Sequence, residues 1–368
     1  MRRSIAKNIW YWLFLTAFTL FSAEIILRIY NPFPATVTGD RLTLRTNTKQ
    51  VFKNIKVDNL DSVVVSQRNS LGFKGPERPN NFKNYLTILA VGGSTTECSI
   101  VNERKAWPSL VGDELSKTFR PLWLNNAGLN GHSTHGHIKL IQDYVIPLQP
   151  KVCIFLVGCN DVDRPELTPS DSTIFNKYQN PLVTLARYSR IANLAVTLYW
   201  QYEAKQRELF GKPFSLKEQR QVIMANSVFQ HELSRLKPDV EQYGKRVSKI
   251  IELCKDANIL PIFLTQPCVL GNVIDDKTNV DLSTYPYRKG NGKLFWAELQ
   301  LYNDETKKIC ATQNVKVIDL AMMLPKSSHY FYDIVHFNNA GCKKISELIS
   351  PELIRYLKEK FPQYATPL

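Results

Sequence analysis

The sequence lacks the motifs that define several large classes of protein. It has no Cys-x-x-Cys pair and no cysteine and histidine spacing typical of zinc sites. A Gly-x-Gly-x-x-Gly fingerprint and a Gly-Lys-Ser/Thr phosphate loop are both absent, which argues against dinucleotide-binding and P-loop proteins. Low-complexity blocks, internal repeats and nucleic-acid-binding motifs are also missing. The sequence therefore implies no metal, no organic cofactor and no nucleic-acid partner.

Acidic residues are fewer than basic ones. Lysine and arginine number 47 against 33 aspartates and glutamates, which gives a formal net charge of +14 at pH 7. Such a balance favours contact with anionic surfaces. Because the basic residues are scattered along the chain, we interpret the charge as attraction to a membrane surface or an acidic glycan.

Cysteine is sparse, with seven residues, an odd number. Several lie within apolar runs, where a thiol behaves as a small hydrophobic group. We expect mostly buried free thiols, with one disulfide as the alternative.

A single long apolar run lies near the amino terminus. Residues 9–27 contain one charged residue, Glu24, and are just long enough to cross the hydrocarbon core of a membrane. A cleaved signal peptide is the alternative, but bulky Phe21 stands where a cleavage site after Ala23 needs a small residue. We therefore predict a retained single-pass anchor over residues 1–30. The slight excess of positive charge before the run places the following domain in the periplasm or outside the cell.

Apolar strands alternate with amphipathic helices from residue 85 onward. The five predicted strands are 85–91, 121–128, 151–158, 259–267 and 315–320. Continuous apolar strands of this kind predict an α/β fold, a doubly wound, flavodoxin-like parallel sheet with helices on both faces. We assign residues 85–368 to this domain, 31–84 to a juxtamembrane segment, and about 165–235 to a helical insertion.

Small and polar residues follow the predicted strands. Ser94 comes directly after two glycines at the end of the first strand, Gly128 ends the second, and Asn160 follows the third. Asp333 and His336 follow the fifth strand, three positions apart. Because ligand sites in open α/β sheets form at the carboxyl ends of the strands, we expect these residues to lie close together.

These four blocks, in this order, resemble the SGNH hydrolase superfamily, also called GDSL-type esterases and lipases. The first block, GGSTT, is similar to that of membrane-anchored bacterial branches of the superfamily. Gly93 stands where the family usually has the aspartate of Gly-Asp-Ser. That aspartate does not transfer protons in the family's mechanism, so we expect the change to leave activity intact.

The resemblance implies a role for each block. Ser94 would be the nucleophile, His336 its general base, and Asp333 the carboxylate that orients the imidazole. The backbone N–H groups of Ser94 and Gly128 and the side-chain amide of Asn160 would form the oxyanion hole. These roles need no metal and no cofactor.

Each candidate also has a structural interpretation. Ser94 could cap a helix, and Asn160 could simply form a turn. His329 is a rival base, but no aspartate precedes it by three positions, and Asp319 could orient a histidine from the end of the fifth strand. We interpret Asp161 as a brace for its loop. The stretch GHSTHGH after Gly128 holds His132, His135 and His137. It matches no zinc spacing, so we interpret it as a substrate-facing loop, with metal binding as the alternative.

The implied function is hydrolysis of an acyl ester, on an O-acylated glycan or a lipid, outside the cytoplasm. An O-acyltransferase acting on an envelope or extracellular polysaccharide would use the same residues and is the alternative. A non-catalytic scaffold on the hydrolase fold is a third hypothesis.

Overall fold

The computed structural model describes residues 2–30, 37–38, 41–53, 59–162, 185–186, 188–206, 216 and 220–366. Much of the predicted insertion at 165–235 therefore lies outside the described residues. The chain forms two compact units. The smaller comprises Met1–Arg45 and Ser172–Gly211, and the larger comprises Thr46–Asp171 and Lys212–Leu368.

Helices and strands follow one another along the chain. In order they are α1 Arg2–Ile29, β1 Val37–Thr38, β2 Arg41–Leu42, β3 Thr48–Lys53, β4 Val63–Arg68, β5 Leu86–Gly92, α2 Ser94–Glu97, α3 Trp107–Ser116, β6 Leu122–Asn126, α4 Thr134–Leu140, β7 Val152–Leu156, α5 Arg190–Gln206, α6 Asn226–Arg235, α7 Lys237–Asp256, β8 Leu260–Leu264, β9 Pro286–Tyr287, β10 Gly290–Asn291, α8 Gly292–Thr312, β11 Lys316–Ile318, α9 Leu320–Met323 and α10 Asn339–Lys360. Helix α4 continues through a π-helical turn, Ile141–Val145, and a last turn, Ile146–Leu148. Short 3-10 turns lie at Phe82–Asn84, Glu103–Lys105 and Pro362–Tyr364.

The larger unit is built on a five-stranded parallel sheet in the order β11-β8-β7-β5-β6. Every residue of β5 and β7 is buried, as expected for strands covered on both faces. Strand β5 lies between β6 and β7, so the order of the strands reverses between β5 and β7, and a crevice opens there at their carboxyl ends. The predicted doubly wound, five-stranded fold is confirmed.

Amphipathic helices surround the sheet. Helix α3 packs against α10, and α7 packs against α8. The buried residues of α7 follow the helical repeat and include Tyr243, Val247, Ile250, Ile251 and Cys254. The aromatic rings of Tyr243 and Tyr302, on α7 and α8, meet edge to face at 5.0 Å.

The hairpin of β3 and β4 belongs to the larger unit, although we predicted that the folded domain begins at residue 85. Lys74 N–H donates to Asn126 O at 2.9 Å, and Asn126 N–H donates to Lys74 O at 2.8 Å. The segment after β4 thus pairs with β6, the edge strand of the sheet. This attachment uses backbone groups, which leave no apolar pattern in the sequence.

The smaller unit contains α1, the two-residue strands β1 and β2, and α5. Within α1, Asn8–Ile29 is long and apolar enough to cross a membrane. Signal sequences share this length and composition.

All seven cysteines are free thiols, and six of them are buried.

Candidate active site

Ser94 opens the short helix α2, directly after β5. A Cβ atom at Gly92 would lie 2.5 Å from Leu156 O, and one at Gly93 would lie 2.5 Å from Asn160 Nδ2. Neither position accepts a larger residue without movement of its neighbours. The two glycines therefore let the chain turn sharply from β5 into α2 while it packs closely against β7 and the loop after β7. This turn places Ser94 at the carboxyl edge of the sheet.

Helix α2 is held by side chains from three other segments. With only four residues, it leaves its last carbonyl groups without helical partners. The carbonyls of its last three residues accept, in chain order, from the Trp107 indole at 3.0 Å, the Asn126 amide at 2.7 Å and the Lys74 ammonium at 2.8 Å. All three donor residues are buried. The backbone that carries Ser94 is therefore fixed from several directions.

The structure brings Ser94, His336 and Asp333 into one chain of hydrogen bonds. The imidazole Nδ1 of His336 lies 2.6 Å from Asp333 Oδ2, and its Nε2 lies 2.6 Å from Ser94 Oγ. Because Asp333 can only accept, the proton of the neutral imidazole belongs on Nδ1. Nε2 is then left to accept the Ser94 hydroxyl. The arrangement can accept a proton from the serine.

Asp333 is itself fixed by the backbone. Its Oδ1 accepts from the N–H groups of Val335 at 3.0 Å and His336 at 2.8 Å. Burial alone would raise the pKa of Asp333, but the side-chain hydrogen bond with His336 and these backbone donors outweigh it and lower that pKa below its ordinary value. The carboxylate is therefore ionised at neutral pH and can stabilise an imidazolium.

Tyr332 supports the imidazole from one side, a contact that sequence reasoning missed. Its ring stacks nearly parallel to that of His336, with 5.5 Å between centroids and 7° between planes. Burial raises the pKa of the Tyr332 hydroxyl, so the ring remains neutral. An aromatic residue directly before Asp333 was the only signal in the sequence.

The rival residues make other contacts. The carboxylate of Asp319 accepts from Thr265 Oγ1 at 2.7 Å and from Lys307 Nζ at 3.1 Å. The ring of His329 packs edge to face with Tyr330. Neither residue joins the hydrogen-bonded chain at Ser94, within the part of the protein that the structure describes.

Hydrogen-bond donors lie beside the Ser94 hydroxyl. Asn160 Nδ2 donates to His132 O at 2.9 Å and sits against Gly93, which leaves its second N–H for a ligand. The Ser94 N–H has no hydrogen-bond partner among the described residues. One donor thus belongs to Ser94 itself and the other contacts the neighbouring Gly93, and their role in an oxyanion hole stays a prediction.

Gly128 does not fit its expected place in the oxyanion hole. Its N–H donates to Asn126 Oδ1 at 2.8 Å, and a Cβ atom there would lie 2.3 Å from Glu97 N. This glycine instead lets its loop pack closely behind α2. Three residues later, Gly131 adopts φ +75° and directly precedes His132, whose carbonyl contacts Asn160. The spacing G-x-x-G was visible in the sequence, but it did not indicate which glycine faces the serine.

Asp161 braces the loop that carries Asn160, as we expected. Its buried carboxylate accepts from Thr134 N–H at 3.2 Å and from the Thr134 hydroxyl, and it pairs with Arg246 Nη2 at 3.2 Å. Arg246 Nε also donates to Thr134 Oγ1 at 2.7 Å. The loops after β6 and β7 are therefore tied together and to α7. Arg246 carries no sequence signal for this role.

His132 and His137 are buried, so their imidazoles lie in the protein interior, and that the loop itself faces the substrate stays a prediction. Burial lowers the pKa of His132 to about 4 and that of His137 to about 3, which keeps both neutral at pH 7. Among the described residues, no group of three or more histidine, cysteine, aspartate or glutamate side chains is arranged to hold a metal ion.

A serine, an imidazole and a carboxylate at the carboxyl edge of a doubly wound sheet define a serine hydrolase site. Residues 90–344 match the GDSL-like lipase/acylhydrolase family, and the chain belongs to that family. It is accordingly a serine hydrolase that acts on ester bonds.

Several solved structures are similar to this chain. They include an acetyl xylan esterase, AlAXEase, with 14% identity and a TM-score of 0.42, which covers 72% of this chain and 99% of its own. A putative lipolytic protein from Desulfitobacterium hafniense DCB-2 has 12% identity and a TM-score of 0.40, with coverage of 72% and 98%. A GDSL-like lipase from Bacteroides thetaiotaomicron VPI-5482 has 12% identity and a TM-score of 0.41, with coverage of 76% and 92%. No curated protein sequence matches the chain.

Proposed function

We propose that this protein is an SGNH-type serine esterase that removes an acyl group from an O-acylated glycan or a lipid outside the cytoplasm. The observation that carries the proposal is the continuous chain from Ser94 Oγ through His336 to Asp333, with 2.6 Å at each of its two contacts. The protein would be held at a membrane by α1, and its positive charge would favour anionic surfaces.

Acylation begins at Ser94. As its Oγ attacks the ester carbonyl, His336 Nε2 takes the hydroxyl proton, and the negative charge of Asp333 stabilises the imidazolium. Collapse of the tetrahedral intermediate breaks the ester C–O bond, and His336 gives the proton to the departing alcohol. In the second half, water attacks the acyl-enzyme and His336 accepts a proton from that water. Collapse of this second intermediate breaks the bond between Ser94 Oγ and the acyl carbon, and His336 returns the proton to Ser94 Oγ as the acid leaves.

The oxyanion of each tetrahedral intermediate needs donors on the opposite side from His336. We propose Ser94 N–H and Asn160 Nδ2 as two of them. We propose Gly131, which directly precedes His132, as the third residue in place of Gly128, because the Gly128 N–H donates to Asn126 Oδ1. Removing one donor of this kind typically costs roughly 10²–10³ in kcat. The Asp161–Arg246 pair fixes the position of the Asn160 loop relative to Ser94.

An O-acyltransferase is the second candidate, because a sugar hydroxyl can replace water at the acyl-enzyme. A non-catalytic scaffold is the third. The hydrogen-bonded arrangement of Ser94, His336 and Asp333 argues against a scaffold, since binding alone does not need an aligned proton relay.

The test is hydrolysis of p-nitrophenyl acetate by the full-length protein in detergent. Ser94→Ala is compared with Ser116→Ala, which removes an exposed serine hydroxyl elsewhere. We expect turnover by the parent and by Ser116→Ala, and loss of turnover in Ser94→Ala. Equal rates in both variants would refute the esterase and leave the scaffold. Adding an oligosaccharide acceptor and measuring acylated sugar by mass spectrometry separates a transferase from an esterase.

A further inference from the structure

Glu24, the one acidic residue in the apolar helix α1, contacts the start of α5. Its carboxylate accepts from Arg190 N–H at 2.9 Å, from Ile191 N–H at 3.2 Å and from Ser189 Oγ at 2.9 Å. Arg28, one turn further along α1, pairs with the same carboxylate at 3.0 Å. Glu24 is thus an N-terminal cap supplied to α5 by another helix.

The contact between Glu24 and the start of α5 stabilises both the carboxylate and the helix. The first N–H groups of a helix have no partners within it and carry a partial positive charge, so they favour a carboxylate. An ionised side chain within a membrane span is costly unless it is paired or hydrogen-bonded. The Arg28 guanidinium also donates to Tyr188 O at 2.9 Å, which adds a second link just before α5. The start of α5 is therefore fixed beside Glu24 and Arg28, in the last two turns of α1.

This contact is close to one end of the apolar run. Glu24 lies five positions before Ile29, the last residue of the apolar stretch, which at 1.5 Å per residue is about 8 Å along the helix axis. The hydrocarbon layer of a membrane is about 30 Å thick. If α1 crosses it, α5 begins near the boundary between the hydrocarbon and the headgroups.

Helix α5 also presents an exposed apolar face. Leu198, Tyr199 and Tyr202 lie on one side of the helix, and their side chains are 45%, 63% and 63% exposed. Ala192 and Val196 are buried on another side of α5. Leu198 and Tyr202, one turn apart, point away from that side, and Tyr199 lies at its border, three positions after Val196. Tyrosine is enriched at membrane interfaces, where its ring meets apolar chains and its hydroxyl meets water.

From these contacts we propose that α5 is a membrane-surface helix, latched to the anchor by Glu24, and that its Leu198, Tyr199 and Tyr202 face binds the phospholipid interface. The inference rests on the membrane anchor of the proposed function. The chain would then have a second site of contact with the lipid surface, distant in sequence from α1.

The test uses the full-length protein in vesicles of phosphatidylcholine and phosphatidylglycerol. A fluorophore is attached at Tyr202→Cys in a Cys159→Ser background, since the other six thiols are buried. Lipids with a nitroxide near the headgroup quench fluorophores at the interface, and lipids with a nitroxide on the acyl chain quench them at the bilayer centre, where Phe18 lies if α1 crosses the membrane. Phe18→Cys reports on the anchor, and Ser116→Cys, at an exposed site of the larger unit, reports on water.

We expect lipid quenching at Tyr202 and Phe18 and none at Ser116. Quenching at Phe18 with none at Tyr202 would overturn the inference while leaving the anchor intact. Absence of quenching at both Phe18 and Tyr202 would refute the membrane anchor and the inference together. In Glu24→Leu, we expect loss of quenching at Tyr202 and retention at Phe18. Full quenching at Tyr202 in that variant would overturn the latch.

Discussion

At the scale of single residues, the reactivity that we propose for Ser94 depends on which nitrogen of His336 carries the proton. Asp333 accepts from Nδ1 and so leaves Nε2 for the serine. Asp333→Asn can instead donate its amide N–H to Nδ1, which moves the proton to Nε2. We expect kcat/KM for p-nitrophenyl acetate to fall by roughly 10³–10⁴. The control is Asp319→Asn, because the Asp319 carboxylate contacts no histidine among the described residues. A similar small loss in both variants would contradict the orienting role.

The lowered pKa of Asp333 also predicts how stability changes with pH. A carboxylate with a depressed folded-state pKa stabilises the protein fully above its unfolded pKa, about 3.9, and loses that contribution as the pH falls through the lower folded value. The difference in urea midpoint between the parent and Asp333→Asn should therefore be largest near neutral pH and shrink in acid. Tryptophan fluorescence across a pH series measures it. A difference independent of pH would show that Asp333 is not held ionised by its neighbours.

Gly131 offers a second test at this scale. Its φ of +75° disfavours a side chain, and alanine there would shift the peptide beside His132 and Asn160. We expect Gly131→Ala to lower kcat by about 10- to 100-fold with little change in KM, part of the effect of losing an oxyanion donor. Gly72→Ala is matched for backbone strain, since Gly72 has φ +81° in the turn after β4. Equal kcat in the two variants would exclude Gly131 from the oxyanion hole.

Single residues could be predicted from the sequence where their position in the chain fixes their position in the fold. Ser94, Asn160, Asp333 and His336 each follow a strand, and parallel strands end at one edge of the sheet. The orientation of one N–H could not be predicted in this way. Gly128 lies at the expected strand end, yet its N–H donates to Asn126, a contact set by the local path of the loop.

At the scale of elements, part of the support of α2 comes from a segment that precedes residue 85, the predicted start of the sheet domain. Lys74 follows β4, and its buried ammonium donates to Glu97 O and lies 4.0 Å from Glu97 Oε1. Arg68, at the end of β4, pairs with the same carboxylate. Burial lowers the pKa of Lys74. The hairpin β3–β4 therefore acts as a support for the serine rather than as a linker.

Lys74→Met tests this support. Removing the ammonium leaves a buried carbonyl without its donor, which costs about 1–3 kcal/mol of unfolding free energy. We expect that loss together with a lower kcat, because the backbone of α2 positions Ser94. Urea unfolding and p-nitrophenyl acetate kinetics measure the two effects. Lys83→Met, at an exposed site, should change stability by less than about 0.5 kcal/mol. Unchanged kcat in Lys74→Met would assign Lys74 to stability alone.

Elements with a strong apolar pattern were predictable, and those joined by polar contacts were not. The five strands of the sheet are continuous apolar runs, so their existence and order along the chain could be read directly. The hairpin and the Asp161–Arg246 pair link residues that are far apart in sequence through backbone and charged groups. Pairings of this kind depend on the assembled fold, and no local periodicity reports them.

At the scale of the whole molecule, the net charge of +14 bears on the choice of substrate. A field of this sign raises the encounter rate with anionic polymers and is screened by salt, with a Debye length of about 10 Å at 0.1 M and 3 Å at 1 M. For an O-acetylated polyuronate, we expect kcat/KM to fall about tenfold or more between low and high salt. Acetate release gives the rate. An O-acetylated neutral glycan of similar length is the control, and its kcat/KM should change little. Equal salt dependence for the two glycans would show that the positive charge does not select acidic substrates and would leave the membrane surface as its partner.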